Sequence, residues 1–324
     1  MSSQPTTVPR PGTARITLVL LAIVPALMAN PWDTAARRWV LGLGLLAAIV
    51  LLGWWQGLHL TTIARRRIAL GRSGVSITGP RGVYASAALR IAAGSAGAAL
   101  PLPLIASYLD RYGLRADSVR ITSRLRPADE AAVPTDTWIS LTYSAISNLP
   151  ALQARSTSIP LQQTVDIAAR RLADHLREAG WDITVVTADE VPSPIETGGR
   201  ETWQSVVDGS GRFVTAYRVA VDAALSDTLS RIRSAHAGCT WTALEFAEHD
   251  GQTTVAGVCA LATDAAPEGG SPVGGLLREP GNQRRALLAL YPLSGSRLDG
   301  HVAIPGDALE GLRWPVAAGV AAKA

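Results

Sequence analysis

Lysine is almost missing: Lys323 is the only one in 324 residues, so arginine carries nearly all the positive charge. This excludes a nucleotide-binding loop of the GxxxxGK[ST] type, which needs a lysine beside backbone amides to cradle phosphates. Cysteine is nearly as scarce. Cys239 and Cys259 are too few for a zinc cage or a secreted disulfide framework and too far apart for CxxC, so two reduced, buried thiols are expected. No HExxH and no GxSxG occurs, which removes the zincin and serine-hydrolase signatures. An Asp-x-Asp pair, the usual holder of a sugar-nucleotide metal, is also missing. The one glycine pair resembling a dinucleotide loop, Gly42 and Gly44, falls inside an apolar run.

Acidic residues are absent from one region in particular. Residues 1–72 carry eight arginines against Asp33 alone, and the rest of the chain is slightly acidic although the whole has a net charge of +4. A nucleic-acid partner would need a clustered basic surface on the folded part, so none is expected. The basic excess instead flanks two uncharged runs. Residues 16–32 contain "ITLVLLAIVPALMAN" and residues 39–60 run from Trp39 to Leu60, lengths near those of membrane-spanning helices. A cleaved leader is the other reading, but "ALMAN" is a weak cleavage site and a second apolar run follows at once.

The expectation is therefore a two-helix transmembrane hairpin with a short extracytoplasmic loop at residues 33–38. Arg10, Arg15, Arg65, Arg66, Arg67 and Arg72 lie on the side shared by both termini, and positive flanks stay cytoplasmic. That implies a multi-pass protein of the inner (cell) membrane with both termini cytoplasmic. Trp32, Trp39, Trp54 and Trp55, with Arg65, Arg66 and Arg67, are the expected anchoring and topology residues, membrane lipids being their partner.

After an N-terminal tail (1–15), the spans, and a basic collar and connector (61–98), the chain reads as a cytosolic α/β (α+β) domain with mixed sheets. It comprises a first α/β half (99–190), a connector (191–211) and a second half (212–324). "LPLIASYLDRYG" reads as a helix stopped by Gly113, and "DSVRITSRL" and "TWISLTYSAI" alternate as strands. "SIPLQQTVDIAARRLADHLREAG" has the strongest helical period, with Ser158 as cap, Pro160 in the first turn and Gly180 as the stop. "EAGWDITVV" and "AGCTWTALEF" look like one helix-Gly-Trp-strand joint used twice. A hairpin with its turn at Asp250-Gly251 follows, which would place Cys239 and Cys259 near each other on opposite strands. Tandem split βαβ (ferredoxin-like) units and one larger sheet both fit this order.

Residue clusters with chemical potential are sparse. "EFAEHDG" gathers Glu245, Glu248, His249 and Asp250. Those types could hold a divalent cation, but at a hairpin tip an exposed turn is the simpler reading. His175 is expected as a solvated side chain on a charged helix face, and His59 as an interfacial one. Trp138, Trp181, Trp203 and Trp241 are read as core, with an interface role as the alternative if they are exposed. No catalytic, cofactor-binding or metal-binding residue is assigned.

The arginine collar with "LPLPLIASYLDRYGLRADSVRITSR", "IPLQQTVDIAARRLADHLREAGW" and "ETWQSV" through "TWTALEF" resembles EccE, a membrane subunit of the mycobacterial type VII (ESX) secretion apparatus. The similarity runs from Ile16 to about Trp314 and is greatest to the paralogue of the system tied to iron and zinc homeostasis. The resemblance implies a non-enzymatic scaffold working with EccB, the EccC ATPase and EccD in exporting small helical substrates, with no cofactor. A membrane-anchored enzyme, glycosyltransferase-like, is the alternative, and a lipid-binding regulator using the arginine collar a third.

Overall fold

The computed structural model describes residues 13–28, 34–52, 54–55, 58–70, 83–92, 99–126, 135–154, 156, 159–195, 198–234, 238–267, 269–305 and 308–314. The chain forms two compact units, Met1–Gly74 and Val75–Ala324.

The first unit corrects the expected membrane hairpin. Helix α1 (Thr13–Met28) has 16 residues with Pro25 inside it, about 24 Å at ~1.5 Å per residue against a hydrocarbon core of roughly 30 Å. Helix α2 (Ala35–Leu52) spends its first turn on Arg37 and Arg38 and stops at Leu52. The run to Leu60 is then broken: β1 (Trp54–Trp55) and β2 (Leu58–His59) form an antiparallel ladder, followed by α3 (Leu60–Leu70). No helix among the described residues is long and apolar enough to cross a membrane. The fold-class reading of a two-helix span and the multi-pass placement in the inner membrane both lose their basis.

The second unit opens with β3 (Tyr84–Ile91), α4 (Leu102–Ala106), a 3-10 turn and β4 (Asp110–Arg111). Then come β5 (Leu114–Leu125), β6 (Thr135–Ser144), α5 (Leu149–Gln153), α6 (Leu161–Glu178) and β7 (Ile183–Val186). Short strands β8 (Arg200–Glu201) and β9 (Val206–Val207) lead to β10 (Phe213–Val219), α7 (Leu225–Ser234), β11 (Cys239–His249) and β12 (Gln252–Thr263). The chain closes with β13 (Leu276–Arg278), α8 (Gln283–Ala289), β14 (Val302–Ala303) and α9 (Ala308–Gly311).

These strands build one sheet whose main path runs β7-β3-β6-β5-β11-β12-β10-β9-β8. Every pairing is antiparallel. This corrects the mixed sheets expected from the sequence: strands from both halves belong to a single antiparallel sheet, joined where β5 pairs with β11. Alternation along each strand gives the sheet two faces. On one, Leu89, Ile121, Ile139, Leu141, Leu244, Phe246 and Leu261 pack with residues of α4, α6 and α7. On the other, Trp138, Trp241, Ala243, Val258 and Ala260 pack with Val191, Ile195, residues of α8 and Leu298.

Helix α6 buries Val165, Ala168, Ala169, Leu172, Ala173 and Leu176, the three-four spacing of a helix lying on a sheet. It begins one residue past Pro160, which sits at the cap position; Ser158 lies outside the described residues. Gly180 takes φ +87°, and the Trp181 amide donates to the Leu176 carbonyl at 2.9 Å, a left-handed glycine closure. Gly113 has another role than the expected helix stop. With Tyr112 (φ 58°) it forms the turn of the β4–β5 hairpin, so the helix ends early, at Ala106.

The two supposedly repeated joints also differ. Trp181 leads into β7 at an end of the sheet path, and Trp241 lies within β11 beside the central seam. The expected hairpin turn is at Asp250 and Gly251, both with positive φ, and His249 faces Gln252. That register puts Cys239 opposite Ala262 and Cys259 opposite Thr242. The cysteines are therefore offset by three rungs and point to opposite faces, a correction of their expected proximity, and both are free.

Candidate functional site

The seam between β5 and β11 sets Arg120 directly opposite Glu245. The exposed fractions of their side chains are 2% and 0%. Arg120 Nε donates to Glu245 Oε2 at 2.8 Å, and Nη2 donates to the same oxygen. Nη1 donates to the carbonyls of Ala289 at 2.6 Å and Tyr291 at 3.2 Å, and Nη2 to Ser296 O at 2.6 Å. All five N–H groups of the guanidinium are thereby used.

Glu245 Oε1 accepts the Leu298 amide at 2.9 Å and faces His301 Nε2 at 3.0 Å. His301 Nδ1 lies 3.0 Å from Thr254 Oγ1 on the neighbouring strand. Burial would raise the Glu245 carboxyl, but the Arg120 charge and the bonds from His301, Arg120 and Leu298 outweigh it and hold it below the usual carboxylate range. A catalytic acid or base needs a free lone pair or proton facing a substrate. Here the acceptors and donors are spent on the chain's own segment 289–301, which the pair clasps onto the sheet.

Towards the β5–β6 end of the same face the surface turns basic. Asp136 is approached by Arg90 at 2.7 Å, Arg126 at 3.4 Å and Arg124 at 3.5 Å. The Arg124 guanidinium lies 5.7 Å from the Trp241 ring centroid, and Trp241 stacks on Trp138 at 5.9 Å. A second aromatic-arginine group stands at the β4–β5 turn. Arg111 lies over Tyr108 at 4.9 Å and Arg171 over Tyr112 at 4.6 Å, and Tyr112 is exposed. Arginine and tyrosine in such groups are favoured at protein interfaces.

The residues singled out from the sequence are scattered. Trp39 is exposed on α2, Trp54 and Trp55 form β1, Arg65, Arg66 and Arg67 ride on α3, and Trp32 lies outside the described residues. His59 is in β2. In "EFAEHDG" the structure separates the acids: His249 and Asp250 are exposed at the turn, whereas Glu245 is the buried centre of the seam. No group of three or more metal-ligating side chains occurs among the described residues. His175 is not simply solvated, since its Nδ1 lies 2.7 Å from the Tyr108 hydroxyl. Trp138, Trp181 and Trp241 are buried, and Trp203 is half-buried.

Comparison with known proteins places this architecture. Residues 131–219, from before β6 to the end of β10, match the family described as "Putative type VII ESX secretion system translocon, EccE". The chain is 47% identical over 310 residues to "ESX-3 secretion system protein EccE3" of Mycobacterium tuberculosis (strain CDC 1551 / Oshkosh), covering 94% of this chain and 92% of that protein. The protein of the same name from Mycolicibacterium smegmatis is 45% identical over 298 residues, 90% of this chain and 92% of its own. The likeness extends over both units rather than one motif, and the chain belongs to the EccE family of type VII ESX secretion system proteins.

Proposed function

We infer that the chain is a non-catalytic structural subunit of a type VII (ESX) protein secretion complex, of the ESX-3 kind that supports iron and zinc homeostasis. The observation that carries this is the 45–47% identity, over at least nine-tenths of both chains, to proteins named for ESX-3 secretion. The interior agrees with it: the buried ionisable cluster of Arg120, Glu245 and His301 serves the chain's own closure, and the exposed Tyr112–Arg111–Arg171 group has the composition of a contact surface. The partners are EccB, the EccC ATPase and EccD, and the cargo is small helical proteins. A glycosyltransferase-like activity has no support in the relatives' names or in any cluster of side chains described above. Affinity purification of the tagged full chain from its native cell in mild detergent tests the reading. Co-elution in a large complex containing an ATPase is expected, and elution alone overturns it.

A further inference from the structure

The tip of the β4–β5 hairpin holds an aromatic residue in a conformation that aromatic residues seldom adopt. Tyr112 has φ 58° and is followed by Gly113 at φ 68°, a left-handed pair of the kind that Asn-Gly supplies with less strain. Three side chains fix the ring. Tyr108 meets it edge-on at 6.4 Å between centroids, and the guanidiniums of Arg171 and Arg111 lie 4.6 Å and 5.4 Å from its centre. Tyr108 is itself buried and tied through its hydroxyl to His175. Tyr112 nevertheless stays 44% exposed, so the strained turn presents a fixed ring to solvent rather than filling the core.

The cations at that ring are free of acids. No carboxylate among the described residues lies within ion-pairing distance of Arg171 or Arg111. Arg111 gives one N–H to Ser107 Oγ at 3.1 Å, and the exposed Arg171 guanidinium meets no acceptor among those residues. A guanidinium stacked on an aromatic face keeps its in-plane N–H fork for an anion alongside. On α6, Ile167 stands four residues before Arg171, hence on the same helix face, and is 48% exposed. The nearby acids ring this patch and are engaged elsewhere: Asp110 with Arg115 at 3.7 Å, Asp174 with Arg177 at 2.8 Å, and Asp166 with Gln162 at 2.9 Å.

We propose that this patch docks an acidic segment of another protein chain, whose Asp or Glu carboxylate is received by Arg171, with Arg111 at the same ring, and whose neighbouring apolar side chain rests on Ile167. Two guanidiniums without an acid set the charge of the occupant, and their fork geometry fits a carboxylate. A phosphate polymer or an anionic lipid surface fits worse, because it brings many charges and its outer ones meet Asp110, Asp166 and Asp174. Ring and cations are held before binding, so association has little left to order. The inference rests on the reading of the chain as a subunit of a complex and adds which surface meets a neighbour and what charge that neighbour presents.

The test is site-specific photocrosslinking in cells making the full-length chain, with a benzophenone amino acid in place of Gln163, exposed one turn before Ile167 on α6. A product with another protein is expected, its crosslinked peptide carrying Asp or Glu. Arg171→Glu should lower the yield about fivefold or more, and replacing the mapped carboxylate by Arg should restore it in that background. Tyr112→Asn removes the ring but suits the left-handed turn, so it should lower the yield similarly while the melting temperature stays within about 2 °C. A crosslink to a second copy of this chain, a crosslinked peptide without a carboxylate, no crosslink from an intact purified complex, a yield indifferent to Arg171→Glu or Tyr112→Asn, or binding of the purified chain to anionic phospholipid vesicles that Arg171→Glu abolishes overturns the patch inference alone. A chain that purifies without any partner overturns the assembly reading instead.

Discussion

Replacing Arg120 by methionine keeps much of the side-chain volume and removes both donors that the guanidinium turns to Glu245 Oε2. The carboxylate is 0% exposed, so it cannot recover solvation. What remains to it is the Leu298 amide and His301. The carbonyls of Ala289 and Ser296 lose their partner as well. Removing one member of a buried pair in this way costs about 3–5 kcal/mol. For a chain that unfolds with a urea slope of about 2–3 kcal/mol/M, the midpoint falls by roughly 1–2 M. Urea unfolding of the full chain followed by circular dichroism measures this directly. The double variant Arg120→Met/Glu245→Met takes the orphaned charge away too, so its cost should be at least about 2 kcal/mol smaller than the summed costs of the two single variants. A single-variant loss below about 1 kcal/mol, or additivity within about 0.5 kcal/mol, would refute the claim that the pair clasps segment 289–301.

Three further outcomes follow from the same structure. Because the folded state lowers the Glu245 pKa, its stabilisation is complete above the ordinary glutamate value of about 4.3 and is lost as pH falls through the lower folded value. The melting-temperature gap between the wild type and Glu245→Gln should therefore be wide at pH 7 and close progressively below about pH 4; a constant gap would remove the carboxylate from the account. Burial pushes the thiol of Cys259 far up and that of Cys239 up less decisively, with Arg124 and Arg212 opposing the rise at Cys239. Timed alkylation read by mass spectrometry should label half-buried Cys239 first and Cys259 only on unfolding, with no internal bridge on a non-reducing gel. A methyl group at Gly281 would stand 2.3 Å from the Trp203 ring, at a backbone φ of +69°. Gly281→Ala should lose about 2–4 kcal/mol through overpacking and left-handed strain, and unchanged unfolding would contradict that packing.

The parts of the fold that could be read in advance are those with local signals. The three-four spacing of Val165, Ala168, Leu172 and Leu176 announces α6, and Asp250-Gly251 announces its hairpin, because both depend on residues near in sequence. The seam depends on residues 120 and 245, whose pairing leaves no local trace. One sign was present: Glu245 shares its strand face with Trp241, Ala243 and Ala247, all buried, whereas a turn residue would have polar neighbours two positions away. Hydropathy alone misled at the N-terminus, where α1 contains Pro25 and α2 stops at Leu52, so a count of apolar residues overstated what single helices span. The cysteine pairing failed by an odd number of rungs, enough to reverse the face.

The clasp at the seam also bears on biosynthesis. When the ribosome has delivered the first half, Arg120 is already in the chain, but its carboxylate is 125 residues away and its last carbonyl partner 176. The central strand therefore carries an incompletely matched cation until residues 289–296 have emerged. A nascent chain released before Ser296 retains that defect, so the seam cannot close on a chain that stops short of that residue.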